Sequence, residues 1–432
     1  MFICKNLNIN DRGNLTFAGV DVVDIAKKYG TPLYVMDIDL IRENCKKFKD
    51  AVKKFYGENS LICFASKSFC CKEIYKIMQE ENMGVDVVSL GEMYTACSAN
   101  FPTKDIYFHG NNKTKEELSY ALKNKIGKIV VDNLMELKNL NEISKNVKTD
   151  IEILLRIKPG VDAHVHEYIT TGKIDSKFGF MMDSNELAKA INFIKQSSNL
   201  KLVGFHCHIG SQIFEIEPFL IAAERMLDFI NKIKETENVS VSELNLGGGF
   251  GISYVEEEKE LNIEKCIEKI SSLVKEKTKE YNLKPLKLIF EPGRSIVAQA
   301  GITLYTVGNR KEISNEKIYI SVDGGMTDNP RYILYKSVYS AIIANKAKEA
   351  KTEKVSIAGK CCESGDLIGE NVSLQHAQEN DILAILATGA YNYSMFSNYN
   401  RNLAPAVIFI ENKKLRIAVK KQTLEDLIRN DI

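Results

Sequence analysis

Short apolar runs rich in Val, Ile and Phe alternate with helix-like segments from about residue 60 to residue 292. Such runs, bounded by polar turns, are typical of strands that are buried on both faces of a parallel sheet. Each of the first seven runs precedes a helix-like segment. The eight candidate strands are Leu61–Ser66, Gly84–Val88, Asp105–His109, Lys128–Asp132, Ile151–Ile157, Leu202–His208, Glu243–Leu246 and Leu288–Glu291.

Eight strand–helix units with buried strands predict a (β/α)8 barrel of the TIM type. A doubly wound sheet is the alternative, but it usually has fewer strands. Active sites of such barrels lie at the C-terminal ends of the strands, so polar residues at those ends are the candidates for chemistry.

Beyond Pro292 the pattern changes, because strand-like runs follow one another without crossover helices. This pattern is typical of a separate antiparallel β domain, a sandwich or a barrel. The tetrad Glu411-Asn412-Lys413-Lys414 predicts a hairpin turn inside the run Ala406–Val419. We therefore expect an N-terminal segment 1–32 that packs with the β domain, a barrel 33–295 and a β domain 296–432. The other candidate strands are Leu304–Val307, Ile318–Val322, Val355–Ala358 and Asp381–Leu386.

The 58 basic and 57 acidic side chains leave a formal net charge of +1. Neither nucleic acid nor an anionic membrane is therefore expected as a partner. The N-terminus has no basic leader followed by a long apolar run, and no stretch approaches the length of a membrane-spanning helix. Ten cysteines without a secretion signal are typical of a reducing compartment, so we expect a cytoplasmic protein.

A lysine ends the first candidate strand, in Ala65-Ser66-Lys67-Ser68-Phe69. Most lysines are simply exposed, but a partly desolvated amine at a barrel rim can condense with an aldehyde cofactor. The adjacent cysteine pairs at 70–71 and 361–362 lack the two-residue spacing of zinc sites, and no metal is expected.

The sixth candidate strand ends in the motif His206-Cys207-His208-Ile209-Gly210-Ser211-Gln212. His206 and His208 share one face of a strand, so a metal site is conceivable. No third ligand is near them in the sequence, and packed or stacking histidines are the preferred interpretation. Ser211 is a candidate phosphate contact. His164 and His166 also alternate, in a polar loop, and are at most residues of a substrate loop.

Three consecutive glycines, Gly247-Gly248-Gly249, end the seventh strand, where barrels often bind phosphate. They let backbone N–H groups approach an anion, although the spacing of dinucleotide sites is absent because Ile252 stands at the last glycine position. A plain tight turn is the alternative.

The eighth strand ends in Glu291-Pro292-Gly293-Arg294-Ser295. A carboxylate at the position of Glu291 can hold a pyridine nitrogen in its protonated form. Gly293 would complete a phosphate cradle and Arg294 offers a bidentate anion donor, with a surface ion pair as the alternative. Four such motifs in order on one rim predict a single active site.

The order and spacing of these motifs, together with a thiol beside a carboxylate at Cys362-Glu363, resemble the fold-type III pyridoxal-phosphate decarboxylases from about residue 10 to the C-terminus. The stretches that carry the resemblance are His166-Glu167-Tyr168-Ile169-Thr170-Thr171-Gly172, Asp175-Ser176-Lys177-Phe178-Gly179-Phe180, His208-Ile209-Gly210-Ser211-Gln212, Glu291-Pro292-Gly293-Arg294-Ser295, Cys362-Glu363-Ser364-Gly365-Asp366 and Gly389-Ala390-Tyr391.

The resemblance implies pyridoxal 5′-phosphate as the cofactor. It implies that Lys67 binds the cofactor covalently, that His208 stacks on its ring and that Glu291 holds its ring nitrogen. It also implies a homodimer in which the Cys362 segment completes the active site of the partner. The other implied cofactor contacts are Ser211, Gly248, Gly249, Gly293, Arg294 and Tyr391.

The implied reaction is the decarboxylation of meso-2,6-diaminopimelate to L-lysine and CO2, the last step of lysine biosynthesis. Cys362 would donate the proton and Glu363 would read the distal amino group. The implied substrate contacts are Arg294, Arg331, Tyr335, Glu363 and Tyr391.

Three alternatives stay open. Ornithine, arginine or carboxynorspermidine is a possible substrate, but the two arginines and the Glu363 run argue against it. A catalytically silent relative is disfavoured because Lys67 and Cys362 are present, and a racemase-like activity because that fold has no matching Cys-Glu segment.

The chain departs from the family at Arg331-Tyr332-Ile333-Leu334-Tyr335, where members commonly have Arg-Pro-Ala-Leu-Tyr. The spacing of Arg331 and Tyr335 is kept, but the missing proline leaves the local turn open. Cys361 is a second thiol beside Cys362. We assign proton donation to Cys362 because it directly precedes Glu363.

Overall fold

The computed structural model describes residues 2–161, 176–256, 258–314 and 317–432. The chain forms two compact units. The barrel unit contains residues 45–251 and 260–293, and the sheet unit contains residues 1–44, 252–259 and 294–432. This division differs from the expected limits on the N-terminal side, where Leu33–Asp37 pairs with strands of the sheet unit. The limits of independent domains stay a prediction.

The strands, in chain order, are β1 (Leu7–Ile9), β2 (Leu15–Phe17), β3 (Val20–Asp21), β4 (Leu33–Asp37), β5 (Ser60–Ala65), β6 (Gly84–Val87), β7 (Ile106–Phe108), β8 (Lys128–Val131), β9 (Ile151–Lys158), β10 (Phe180–Met181), β11 (Leu200–His206), β12 (Glu243–Asn245), β13 (Lys287–Phe290), β14 (Gly301–Ser314), β15 (Lys317–Val322), β16 (Ala341–Ile343), β17 (Glu353–Ala358), β18 (Leu367–Leu374), β19 (Ile382–Ile385), β20 (Ala406–Glu411) and β21 (Lys414–Val419).

The helices are α1 (Val22–Tyr29), α2 (Ile38–Phe55), α3 (Lys72–Glu80), α4 (Leu90–Ser98), α5 (Lys115–Lys123), α6 (Leu134–Val147), α7 (Asn185–Lys195), α8 (Glu217–Glu237), α9 (Ile263–Glu280), α10 (Arg294–Val297), α11 (Arg331–Tyr335) and α12 (Leu424–Ile428). No helix in the described ranges is both long and apolar enough to cross a membrane.

The barrel unit is a closed parallel sheet with the strand order β9-β11-β12-β13-β5-β6-β7-β8, in which β8 also pairs with β9. All eight predicted strands are present, and α3 to α9 follow the first seven of them. The predicted (β/α)8 barrel is therefore confirmed. The short strand β10, which extends the sheet beside β9, was not predicted.

Alternate positions of the barrel strands point inward and fill the barrel with apolar side chains. This core consists of Cys63, Tyr107, Val130, Leu154, Val203 and Ile289. The surrounding helices bury one face each, as in α9, where Asn262 caps the first turn through the Lys265 N–H. Because every strand is parallel, their carboxyl ends form one rim on which the connecting loops meet.

The sheet unit contains a mixed sheet with the order β18-β17-β15-β14-β4-β20-β21, and β19 joins β14 to β16. The second domain was expected to be antiparallel, but β4 pairs in parallel with β20, and β15 with β17. The first of these pairs arises because β4 comes from the N-terminal part of the chain. The predicted hairpin turn is confirmed, with Asn412 and Lys413 at φ values of 50° and 61° between β20 and β21.

Candidate active site

Lys67 lies in the 3-10 turn Ser66–Ser68 that directly follows β5 at the barrel rim. The Ser68 hydroxyl closes this turn by donating a 2.7 Å hydrogen bond to the Ala65 carbonyl. The Lys67 side chain is exposed, whereas Asp86 on the neighbouring strand β6 is buried. Burial and the nearby Glu291 raise the pKa of Asp86 to about 8, against the opposing effect of Lys67.

Glu291 follows β13 and is buried among three nitrogen donors. The Asn245 amide donates a 2.7 Å hydrogen bond to Oε1, and His109 Nε2 lies 2.9 Å from the same oxygen. His206 Nε2 lies 3.1 Å from Oε2. Burial alone opposes ionisation, but His109 and His206 outweigh it and hold the pKa of Glu291 well below its usual range. The site therefore holds a buried carboxylate in its charged form.

The two alternating histidines of β11 and its loop serve different neighbours. His206 contacts Glu291, whereas His208 Nδ1 accepts a 3.3 Å hydrogen bond from the Gly248 N–H. Burial and the charge of Lys67 hold the pKa of His208 well below its usual value, so its ring is neutral. His109 is the neighbour that joins His206 and Glu291 into one cluster, with donor atoms within 4.8 Å.

The glycines of the rim are packed so closely that a side chain would not fit. A Cβ on Gly248 would lie 2.2 Å from the Glu291 carbonyl, and one on Gly249 2.6 Å from the Gly210 carbonyl. Gly249 also has a φ of +113°, which L residues rarely adopt. A Cβ on Gly293 would lie 2.8 Å from the Ala65 Cβ. Backbone without side chains, as at these glycines, lets N–H groups approach a phosphate closely. The half-buried Ser211, which directly follows Gly210, is a further candidate contact.

In the sheet unit, two buried arginines flank Tyr391. The Arg294 guanidinium donates a 2.6 Å hydrogen bond to the Tyr254 hydroxyl and lies 4.8 Å from the centroid of the Tyr391 ring. The Arg331 guanidinium lies 5.4 Å from the same ring. Arg331 Nε is buried without a hydrogen-bond partner, and no carboxylate of the described residues pairs with Arg331. A buried cation of this kind is suited to bind an anionic group.

The segment that lacks the family's proline forms the short helix α11, with Pro330 at its N-cap. Arg331 and Tyr335 are one helical turn apart, and the guanidinium lies 5.2 Å from the Tyr335 ring centroid. The helix therefore keeps these two side chains together without the proline.

The two adjacent thiols have different surroundings. Cys361 is buried, and its sulfur accepts a 3.4 Å hydrogen bond from the Asn402 amide. Burial, with Asp366 as a further cause, raises the pKa of Cys361 to about 11. Cys362 and Glu363 are exposed, and the Cys362 N–H donates a 2.8 Å hydrogen bond to the Asn400 side chain.

Several polar residues of the rim were not predicted from the sequence. Asp86, His109 and Asn245 each lie in a predicted strand, close to its C-terminal end, and this position marks them as candidates without showing that they lie near Glu291. Arg156 on β9 is likewise buried, 4.0 Å from Asp132. His164, His166 and the stretch 166–172 lie outside the described residues, as does Asp175.

A parallel barrel with a lysine, a buried carboxylate and a glycine cradle on its carboxyl rim defines a barrel-type pyridoxal-phosphate enzyme. Residues 38–298 match the family described as pyridoxal-dependent decarboxylase, pyridoxal binding domain. The chain is 46% identical over 432 residues to a diaminopimelate decarboxylase of Bacillus subtilis, covering 100% of this chain and 98% of that protein.

Solved structures agree with this assignment. A diaminopimelate decarboxylase of M. jannaschii in complex with L-lysine has a TM-score of 0.91 at 33% identity, covering 100% of this chain and 99% of that one. A Helicobacter pylori diaminopimelate decarboxylase with L-lysine has a TM-score of 0.85 at 30% identity, covering 95% and 98%. The chain belongs to the diaminopimelate decarboxylases, within the pyridoxal-dependent decarboxylase family.

Proposed function

We propose that the chain removes one carboxyl group from meso-2,6-diaminopimelate as CO2 and releases L-lysine, with Lys67 as the residue that binds the cofactor. The observation that carries this proposal is the position of Lys67, His208 and Glu291 on one barrel rim beside a glycine cradle. When bound, pyridoxal phosphate supplies an electron sink for the charge left at Cα as CO2 departs.

The rim residues divide the binding of this cofactor among them. Lys67 would bind it covalently and give up that bond to the amine of the substrate. Glu291 would accept the hydrogen bond of the ring nitrogen, and the neutral His208 ring would stack on the cofactor ring. The proposed phosphate contacts are Ser211, Gly248, Gly249, Gly293 and Arg294, with Tyr391 as a further contact.

We assign proton donation to Cys362. Its thiol is exposed, whereas burial and a pKa of about 11 make Cys361 a poor proton donor near neutral pH. We assigned proton donation to Cys362 because it directly precedes Glu363. The difference in exposure between the two thiols supports this assignment. Cys362 would donate its proton to Cα of the substrate, and Lys67 would regain its bond to the cofactor as the product leaves.

The substrate carries an ammonium and a carboxylate at each end. The site therefore needs cationic groups that bind the carboxylates and an anionic group that binds the distal ammonium. Arg294 and Arg331, with Tyr335, bind the carboxylates, and Glu363 binds the distal ammonium. Ornithine has no distal carboxylate. It would leave the buried Arg331 unpaired, which is costly and favours diaminopimelate.

A homodimer with shared active sites fits the exposure of Cys362, Glu363, Ser364 and Gly365 in the single chain. A second copy that covers the exposed Cys362 would exclude water from the proton donor. Mixing Lys67→Ala and Cys362→Ala subunits would test this sharing, because random pairing restores at most about a quarter of the wild-type sites. No recovery in verified mixed dimers would contradict a shared site.

We also propose a cytoplasmic location. No disulfide joins any of the ten cysteines, all of which lie in the described ranges, and this supports a reducing compartment.

The test of the reaction is release of lysine and CO2 by the purified protein with pyridoxal phosphate. We expect turnover of meso-diaminopimelate and none of ornithine, arginine or carboxynorspermidine. Turnover of one of the other three substrates would keep the cofactor site but overturn the roles of Arg331 and Glu363. Cofactor binding without turnover of any substrate would favour a silent relative.

A further inference from the structure

Three side-chain nitrogens surround the buried Glu291 carboxylate. Oε1 faces the Asn245 amide at 2.7 Å and His109 Nε2 at 2.9 Å. Among the described residues, the polar side-chain atom that faces Oε2 is His206 Nε2, at 3.1 Å. His109, His206 and Glu291 are each less than 10% exposed. Each carboxylate oxygen has about two lone-pair positions, so with His206 as the partner of Oε2 about one position on that oxygen is left over.

The cluster has the residue types of a metal site, but its distances are those of hydrogen bonds. Ligand atoms around a tetrahedral zinc ion lie about 3.3 Å apart, given zinc–nitrogen bonds of about 2.0 Å. The contacts of Glu291 with His109 and His206 are shorter. Burial lowers the pKa of both histidines, that of His206 to about 3, so each ring is neutral. A neutral imidazole with Nε2 protonated can donate to a carboxylate. His206 Nε2 is in hydrogen-bonding geometry with Oε2, whereas His109 Nε2 lies close to Oε1 without the geometry of a hydrogen bond.

We propose that His206 and His109 are positioning residues that hold the Glu291 carboxylate in place and leave one lone pair of Oε2 to accept the hydrogen bond of the cofactor's ring nitrogen. This inference rests on the proposed function and extends it from Glu291 to the residues behind it. His206 and His109 do not touch the reacting atoms. They act through Glu291, and their loss would weaken cofactor binding and change the pH at which the ring nitrogen loses its proton.

Other charged or titratable groups act on the same cluster, and a pH profile must be read with them in mind. They are Lys67 after β5, Cys63 on β5, Asp86 on β6, Glu92 on α4, Tyr107 on β7, Lys113 before α5, Arg156 on β9, and Cys207 and His208 after β11. None of these groups is altered in the variants below. A difference between the Gln and Asn variants at position 206 therefore reports whether an N–H donor at that position reaches Glu291.

The experiment compares His206→Gln, which can still reach Glu291 with an N–H donor, with His206→Asn, which is too short. The readouts are the dissociation constant of pyridoxal phosphate for the cofactor-free protein and the pH dependence of the bound cofactor's absorption. We expect His206→Asn to weaken binding about tenfold, as for one hydrogen bond to a charged group, and His206→Gln to recover most of it. His376→Asn, at a half-exposed histidine paired with Glu353, is the matched control and should leave both readouts unchanged.

Equal binding and equal pH profiles for His206→Asn and wild type would overturn the inference. If His206→Asn does not fold, the Gln and Asn variants of His109 give the same comparison. Stoichiometric zinc binding by the cofactor-free protein that is lost in His206→Asn would also overturn it, in favour of a metal site. Wild-type turnover of diaminopimelate is measured in parallel. Its absence would count against the proposed function, whereas an unaffected His206→Asn in an active enzyme counts against this inference alone.

Discussion

The carboxylate of Asp366 accepts a 2.7 Å hydrogen bond from the backbone N–H of Cys361. The same carboxylate accepts a 2.6 Å hydrogen bond from the Met326 N–H. It also packs so closely on Gly359 that a Cβ there would lie 2.2 Å from Oδ2. One buried side chain thus fixes both ends of the loop that carries Cys362.

Asp366→Asn should therefore lower kcat more than it raises KM. The amide retains one acceptor oxygen but cannot accept both N–H donors, so the loop loses at least one charge-assisted hydrogen bond. We expect kcat for diaminopimelate to fall about tenfold, which corresponds to roughly 1.4 kcal/mol. Steady-state kinetics checks this, with Asp183→Asn as the control at an exposed carboxylate. Unchanged kcat would mean that the loop is held by other contacts.

The two thiols should respond differently to replacement by serine. Cys362→Ser should reduce kcat about a hundredfold, the typical contribution of a positioned general acid. Cys361→Ser should keep kcat within about threefold and lower only the thermal stability, because it replaces a buried sulfur by a hydroxyl group. Lysine release under saturating diaminopimelate distinguishes them. A larger loss for Cys361→Ser would reverse the assignment.

Arg331→Met should weaken substrate binding while keeping the buried stem. The variant removes a guanidinium that no described carboxylate neutralises, so the loss falls on the anionic substrate. We expect KM for diaminopimelate to rise roughly tenfold to a hundredfold with a smaller change in kcat. Arg12→Met, at an arginine with a side chain 59% exposed, is the control. An Arg331→Met variant with an unchanged KM for diaminopimelate, and with ornithine turnover as low as that of wild type, would contradict the anion-binding role.

Asp328 should make the stability depend on pH. Burial raises its pKa from 3.8 to about 7, although it accepts hydrogen bonds from Tyr305, Gly325 and Thr327. Between these two pH values the folded chain binds more protons than the unfolded chain, so this group stabilises the fold fully below about pH 4 and loses that contribution as pH rises to about 7.

Asp328→Asn should flatten the fall in the free energy of unfolding over that range. Urea denaturation of both proteins at several pH values from 4 to 8 measures the slopes, with Asp183→Asn as the control for loss of an exposed charge. Parallel slopes for wild type and Asp328→Asn would show that the carboxyl is ionised throughout.

The barrel could be predicted because each strand is a continuous apolar run followed by a helix, which is a local signal. β4 carries the same kind of run, Leu33–Asp37, with every residue buried. Its partners β14 and β20 follow more than 250 residues later, so the sheet that it joins cannot be read from the local pattern. The parallel pair β15 and β17 was missed because the sequence between them has no pattern that predicts a crossover helix.

The motifs at Lys67 and Glu291 predicted that both residues lie at the carboxyl ends of barrel strands, as the structure has them, and their roles stay predictions. His109 and Asn245 were missed because each is a single polar residue at a strand end, and nothing in the sequence tells that both face Glu291. The turn at Arg331 was left open for lack of a proline, whereas one helical turn from Arg331 to Tyr335 gives the same juxtaposition.

The most direct test of the central claim is to locate the residue that binds the cofactor. The protein is incubated with pyridoxal phosphate, reduced with borohydride, digested and mapped by mass spectrometry. We expect one pyridoxyl group, on the peptide that contains Lys67. In Lys67→Ala we expect both the label and lysine formation to be lost. Stoichiometric labelling of another lysine, or an active Lys67→Ala protein, would contradict that claim.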